Sequence, residues 1–576
     1  MSRHNSLERT KSQTSSYHDP EFVPEVHLSP ITSRASRRDT EAIGEGNEGL
    51  SDADTRSTRV APEMGEKEYI EVTWDGPGDR CNPLNMKAWR KWLELANARL
   101  MVAILSFSCL CITCCSSMAA QTYPGMSKAY HISELVCVLS ISCFVMGLGT
   151  GPCECQSLSV LLPAQQPLLV LDGGEEDYTR PRPIPLLTAV LLGPVSEFVG
   201  RAPVLHYGLL IFFLFNFPVA FSTTPSVHFI FRYLTGFAGS GFLSVSGGLV
   251  TDVFENAAVA TPMTIWSISP FMGPILGPLI AGFINYNQPD WRWTYYVVIM
   301  WAFVCLVGLF ICVPETFAPK LLERKAKRMR KETGQNYRAP MELKQETFVM
   351  ALKRSIKTPF ILLATQPMVL LLDLWSALLL GILYLSFGGI PYIFRHQYGF
   401  NMQECGLAFL GIGVGQLISG ATQPYFNRYY ARVASRSPDG KAPPETRLYM
   451  GEFGAVLAPI GLLLLGLTCF KSVHWMVPIV LSMFFGTGLV YAYNATFTYL
   501  VDAYRPAAAS ALASNSFMRS SFAAGFPLFG NQMYDRLGPV GATCLLAGLL
   551  FCCTPFPFVF KRIGARIRAR SEFAAA

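Results

Sequence analysis

Twelve stretches of this 576-residue chain are apolar over the length that a bilayer demands. A spanning helix needs roughly 20 mainly apolar residues, and the spans are expected near 98–121, 134–152 continuing at 187–195, 204–222, 227–249, 260–284, 293–313, 361–390, 404–425, 449–470, 474–499, 506–530 and 538–560. The chain therefore reads as an all-α integral membrane protein. Its fifth span holds Phe271-Met-Gly-Pro-Ile-Leu-Gly-Pro-Leu-Ile-Ala-Gly282, in which Gly273-Pro274 and Gly277-Pro278 recur one turn apart. Such a helix is bent and smooth on one face, and is tolerated only where neighbours satisfy the freed backbone groups.

Composition narrows the class. Hydrophobic residues make up 51% of the chain and charged residues 15%, against roughly 25% charge in soluble domains, and the mean hydropathy is +0.31. The net charge of +7 does not point to nucleic acid, because the basic residues sit between apolar runs. Lys320, Arg324, Lys325, Lys327, Arg328, Arg330 and Lys331 fall between the sixth and seventh spans, and Arg428, Arg432, Arg436, Lys441 and Arg447 follow the eighth. Lys561, Arg562, Arg566, Arg568 and Arg570 follow the last. With twelve spans all three groups share the side of the N-terminus, so the positive-inside rule places both termini and the middle loop in the cytosol. The 16 cysteines lack metal-ligand spacing and read as small packing residues. There is no G-x-x-x-x-G-K-[ST] phosphate loop, and His206, His228, His396 and His474 have no nucleophile beside them. An ATP-driven pump and an enzyme are both poor readings, and no metal or organic cofactor is expected.

The expected organisation is a disordered cytosolic tail over 1–92, a first six-helix half over 93–314, a cytosolic loop over 315–360, a second half over 361–560 and a tail over 561–576. One segment breaks the pattern. Cys153–Val190 interrupts the second span with Gln165-Gln166-Pro167, Gly173-Gly174-Glu175-Glu176-Asp177 and Arg180-Pro-Arg-Pro, which no helix carries through hydrocarbon. Its removal joins Gly147-Leu-Gly-Thr-Gly-Pro152 to Leu191-Leu-Gly-Pro-Val-Ser-Glu197 and restores one span, as a retained intron would. A genuine insertion is the alternative.

Several charged residues stand where charge is costly. Arg232 lies inside the fourth apolar run, where an unpaired cation costs several kcal/mol; it calls for function or for pairing within the bundle. Asp373, in Leu371-Leu-Asp-Leu374, is an acid at bilayer depth that could exchange a proton, or a residue near a helix end that faces water. Gly193-Pro-Val-Ser-Glu-Phe-Val-Gly-Arg201 closes the second span; Gly200 suits a tight turn, and Glu197 with Arg201 forms an ion pair or docks on a neighbouring helix end.

These motifs, with Trp74-Asp-Gly-Pro, Trp291-Arg-Trp-Thr-Tyr-Tyr296, Pro314-Glu-Thr-Phe-Ala-Pro319, Pro444-Glu-Thr-Arg-Leu448 and Tyr499-Leu-Val-Asp-Ala-Tyr504, resemble the major facilitator superfamily. Within it they are similar to the fungal drug:proton antiporters with twelve spans, a branch that includes polyamine and multidrug exporters. One departure is Ala202, where the superfamily loop often has a second basic residue.

The resemblance implies two six-helix bundles rocking about a site near the midplane, exporting small organic molecules in exchange for protons. The proton gradient would be the driving force, and the functional monomer would sit in the plasma membrane. Arg232, Asp373, Gly273, Pro274, Gly277 and Pro278 are the expected transport and coupling residues. Glu445 with Arg447 and Asp502 with Arg505 are expected, like Glu197 with Arg201, to form gate pairs, or to be ordinary juxtamembrane charges. Tyr384, Gln416, Tyr493, Asn494 and Asn515 are the expected cavity residues, with Arg519 beside them. Uptake by a symporter or facilitator, or a product left inert by the interruption, are the other readings.

Overall fold

Long apolar runs became long helices. The computed structural model of the protein describes residues 69–74, 91–154, 200–254, 260–343, 348–437, 442–571 and 573–574, all within one unit, Arg56–Ala576. The first half contains α1 (Lys91–Met118), α2 (Leu139–Glu154), α3 (Arg201–Phe221), α4 (Pro225–Val253), α5 (Ala260–Asn287) and α6 (Trp293–Cys312). The second half contains α7 (Pro367–Tyr398), α8 (Leu410–Arg436), α9 (Leu448–Thr468), α10 (Met476–Ala503) and α11 (Ala508–Cys553), followed by the basic α12 (Pro555–Arg568). The eleventh and twelfth expected spans are the two arms of α11, which bends at Gly538 with φ 69°.

Among the described residues, ten helical runs are long and apolar enough to cross a membrane, and the run Arg505–Arg568 holds two of the expected spans. The run missing from the ten is the 29-residue α4, whose hydropathy is diluted by Arg232 and many small residues. Lipid-facing character is plain on α6. It buries Val298, Ala302, Cys305 and Leu309 while exposing Met300, Phe303, Val304, Val307, Phe310 and Ile311, the last 76% exposed. An exposed apolar stripe of this extent needs lipid or a partner to cover it.

Within the first half α1 packs on α5 and α2 on α4; within the second α7 packs on α11 and α9 on α10. The halves meet where α2 lies against α11 and α5 against α8. Hydrogen bonds crossing this seam include Ser116 Oγ with Tyr384 Oη at 2.9 Å and Ser142 Oγ donating to Ala524 O at 2.7 Å.

The polar segments carry structure of their own. The central loop is helical over Ala318–Thr333, Pro340–Leu343 and Phe348–Thr365, and α7 starts only after Gln366, held extended ahead of Pro367. Part of the tail is docked rather than free. Ile70–Glu71 pairs in parallel with Tyr337–Arg338, and Val72, 3% exposed, packs with Ala326 and Ala339. The alternation in Tyr69-Ile-Glu-Val-Thr-Trp74 was the available signal. The rest of that tail, Glu197 and nearly all of the interruption Cys153–Val190 lie outside the described residues.

Candidate functional site

Asp373 stands on the second turn of α7 and is fully buried, so the reading in which it faces water at a helix end is overturned. Its carboxylate accepts from Ser514 Oγ and from Asn515 Nδ2, each at 2.8 Å. Asn515 Nδ2 also reaches Ser376 Oγ at 2.6 Å, and Tyr493 Oη donates to Ser376 O at 3.1 Å. Neighbouring donors on one turn of α11 thus hold an acid from α7, with α10 fixing the same corner. Asn515 belongs to this acid site rather than to the cavity wall.

Four residues beyond Asn515, Arg519 lays its guanidinium over the rings of Phe497, 4.9 Å from the centroid, and Tyr493, 5.4 Å. Its Nε is buried with no hydrogen-bond partner, and among the described residues no carboxylate lies within ion-pair distance of it. Tyr493 stacks in turn on Phe271 of α5, with centroids 5.3 Å apart and planes 17° apart. Phe271 also lines a small pocket together with Thr264, Ser267, Gln416, Gln423 and Asn494, among others. Gln416 and Asn494, both expected as cavity residues, line this pocket. Tyr384 instead bonds Ser116 across the seam. Phe271, Thr264 and Ser267 were missed as lining residues; the glycines and prolines drew attention to that helix, while the register that turns Phe271 inward was not readable.

Arg232 is buried, and among the described residues no acid pairs with it. Its Nε donates to Ser140 O at 3.1 Å, Nη2 to Cys115 O at 3.1 Å and Nη1 to Cys115 Sγ at 3.2 Å. The guanidinium also lies 4.5 Å from the centroid of the Phe144 ring. Of the two expected roles, the geometry gives pairing within the bundle, tying α4 to α1 and α2.

The Gly-Pro repeat packs inside the first half. A side chain at Gly273 would meet Thr113 and Cys114, and one at Gly277 would meet Ser117 and Cys114. Both glycines thus serve the contact with α1 inside the first half; Ser117 Oγ donates to Gly273 O at 3.3 Å across it. Pro274 and Pro278 lie inside α5, as does Pro270. The close approach between halves falls farther along, where a side chain at Gly406 would meet Pro278 O at 2.9 Å and one at Gly282 would meet Met402 O at 2.8 Å.

The charge pairs are also redistributed. Arg201 pairs with Asp252 at 3.0 Å, while Glu315 accepts the backbone N–H groups of Arg201 and Ala202. Gly200 makes the turn before them with φ 110°, a conformation that favours glycine. In the second half Arg447 pairs with Asp502 at 2.9 Å, and Glu445 pairs with Arg568 at 2.9 Å. Glu445 with Arg447 and Asp502 with Arg505 are therefore not the pairs formed; Arg505 is exposed. Asp252 and Asp502 occupy the same place, the penultimate residue of α4 and of α10, while Arg201 is the first residue of α3 and Arg447 the residue just before α9. The two clusters are equivalents in a repeated half, each closed within its own half.

A family model described as Major Facilitator Superfamily matches residues 184–527. The chain is 44% identical over 396 residues to "Efflux pump atB" of Aspergillus terreus, covering 68% of this chain and 83% of that protein. It is 36% identical over 511 residues to "Probable drug/proton antiporter YHK8" of Saccharomyces cerevisiae, covering 88% and 91%. Among solved structures it is similar to the xylose transporter XylE of E. coli, with TM-score 0.54 and 14% identity over 81% of this chain and 98% of that one; that likeness is one of fold. The chain belongs to the major facilitator superfamily.

Proposed function

We propose that the protein exports small organic molecules (drugs, toxins or secondary metabolites) in exchange for protons, by alternating access. It does so as a monomer in the lipid of the plasma membrane, with both termini cytosolic. The observation that carries the coupling is Asp373. A buried acid whose direct partners among the described residues are neutral donors, and which faces the seam helix α11, is where proton uptake changes helix packing. The carboxylate takes hydrogen bonds from Ser514 and Asn515; once protonated it becomes a donor itself on one oxygen, and the α7–α11 contact must rearrange. A shift between states of this kind needs only a few kcal/mol of differential interaction. The names of the relatives atB and YHK8 support export and proton exchange respectively.

The seam supports the same reading. The halves touch through a close backbone approach near Gly406 and Gly282, while the strong charge pairs stay inside each half. Each half is therefore tied internally at the end bearing the basic residues, which suits rigid bodies rocking on one another. The working protein lacks Cys153–Val190, whose polar run no helix carries through hydrocarbon.

Cells expressing the protein without that segment, loaded with a panel of fluorescent compounds, provide the test. Expected is a lowered steady-state accumulation that a protonophore restores, and that Asp373→Asn abolishes at equal surface expression. Raised accumulation driven by the proton gradient would establish uptake instead.

A further inference from the structure

The basic residues of α12 fall into two sets. Those that face the bundle are paired: Lys561 Nζ donates to Glu452 Oε2 at 2.7 Å, and Arg568 donates to both oxygens of Glu445, from Nε at 2.9 Å and from Nη2 at 3.2 Å. Gly564 is buried between them, where a side chain would meet Tyr499 Oη at 3.1 Å and Glu445 Oε1 at 3.2 Å. Arg562 and Arg566, with Arg570 just past the helix end, recur every four residues and are exposed. Among the described residues no acid lies within ion-pair distance of these three.

Exposed apolar residues share their side of the helix. Phe558 stands one turn before Arg562, Val559 and Ile563 run alongside, and all three are exposed. This stripe continues the exposed one on the second arm of α11, which includes Leu545, Leu549 and Phe551. Helix length then sets the depth of the arginines. The second arm begins at Pro539, past the bend at Gly538, and the charged Asp535 and Arg536 just before the bend put it outside hydrocarbon. The backbone stays helical through Thr554, with φ −52° and ψ −38°. At 1.5 Å per residue a helix crosses a core of about 30 Å in about 20 residues, which ends the apolar layer at or shortly after Phe558. Arg562 stands about 6 Å past that level and Arg566 about 12 Å. Helix side chains lean back toward the N-terminus, so both guanidinium groups reach a headgroup layer that is about 5–8 Å deep.

We infer that the outer stripe of α12 binds an anionic phospholipid in the leaflet at the basic end of the bundle. Arg562 and Arg566 take its phosphate and its second charged group, since a guanidinium fork matches phosphate and carboxylate oxygens, while Phe558, Val559 and Ile563 lie along its acyl chains. The same helix holds Glu445 and Glu452 on its inner face, so the lipid tethers the element that closes the charge cluster of the second half.

The test is native mass spectrometry of the purified, delipidated full chain titrated with phosphatidylserine and with phosphatidylcholine. Expected is binding of the serine lipid about tenfold or more tighter, the gain of two arginines near an anionic headgroup. Arg562→Gln with Arg566→Gln should remove most of that preference, and Arg562→Lys with Arg566→Lys should keep part of it. Arg428→Gln with Arg432→Gln, another exposed pair spaced by four, on α8, should leave it intact. A phosphatidylserine carrying a photoreactive headgroup should label 558–570 of the unmutated protein, which locates the site even where a variant fails to fold. Equal binding of the two lipids, a preference that survives loss of Arg562 and Arg566 or falls with Arg428 and Arg432, or labelling confined to other segments would overturn the inference. Neither measurement involves transport, so the export reading stands or falls separately.

Discussion

A buried charge in a membrane protein has to be explained by its partners, and the two that stand out here have opposite explanations. Arg232 donates to carbonyls of α1 and α2 and leans on the Phe144 ring, so it holds the first half together. Hydrogen bonds to charged groups are worth roughly 1.5–3 kcal/mol each. Arg232→Met should therefore lower stability by on the order of 3 kcal/mol, seen as a large drop in Tm of the purified protein. An unchanged Tm with lost proton coupling would assign it to transport. Asp373→Asn keeps the shape, and the charge-assisted hydrogen bond it forfeits, roughly 1.5–3 kcal/mol, is offset by removal of a buried charge, so its Tm should barely move while coupled transport is lost. Both residues were legible in the sequence as charges in apolar runs. Their partners were not, because Ser140, Cys115, Ser514 and Asn515 look like ordinary small or polar residues until the helices are packed.

At the scale of elements, the Gly-Pro repeat of α5 shows how a motif marks a helix without marking its neighbour. The glycine spacing defined a smooth face, but only the packing showed that Gly273 and Gly277 face α1 while Gly282 and Gly406 form the seam. The two sets should behave differently when overpacked, at a cost of about 1–3 kcal/mol. Gly277→Leu should destabilise the first half and lower Tm. Gly406→Leu should instead block closure at the Pro278–Met402 end. In that case a cysteine placed near Gly282 should become more reactive to an impermeant thiol reagent on intact cells, in a background lacking other reactive thiols. A second element-scale test concerns the basic helix Ala318–Thr333. Burial would raise the Glu323 carboxyl, but hydrogen bonds and charge from Lys320 and Lys327 outweigh it and hold it below the ordinary range. The sign is then that of a depressed acid: its contribution is complete above the ordinary glutamate range, about 4.3, and is lost as pH falls through the lower folded value. Hydrogen exchange across 318–343 should therefore accelerate below about pH 4, and Glu323→Gln should remove that pH dependence.

For the whole molecule, the number of spans and the two-half plan were legible because apolar length is a strong signal, and it survives even where α4 is diluted by small residues. The charge clusters were legible only as clusters. Loop proximity suggested Glu445 with Arg447, whereas folding brought Asp502 to Arg447 and Arg568 to Glu445, since helix ends from distant parts of each half converge at one end of the bundle. Tags in the 318–343 segment and at the C-terminus should be reached by antibody only after cells are permeabilised; access to either one in intact cells would break the twelve-span topology. Transcripts from the source should lack the codons for roughly Cys153–Val190; a long transcript alone, yielding a working long protein, would make the interruption genuine. The exchange of proton for substrate is tested most directly in proteoliposomes holding a pH dye, with the purified chain and a transported compound added on one side under no imposed gradient. Movement of the compound should drive protons the opposite way in the wild type and not in Asp373→Asn. Protons moving in the same direction as the compound, or wild-type proton flux retained by Asp373→Asn, would contradict it.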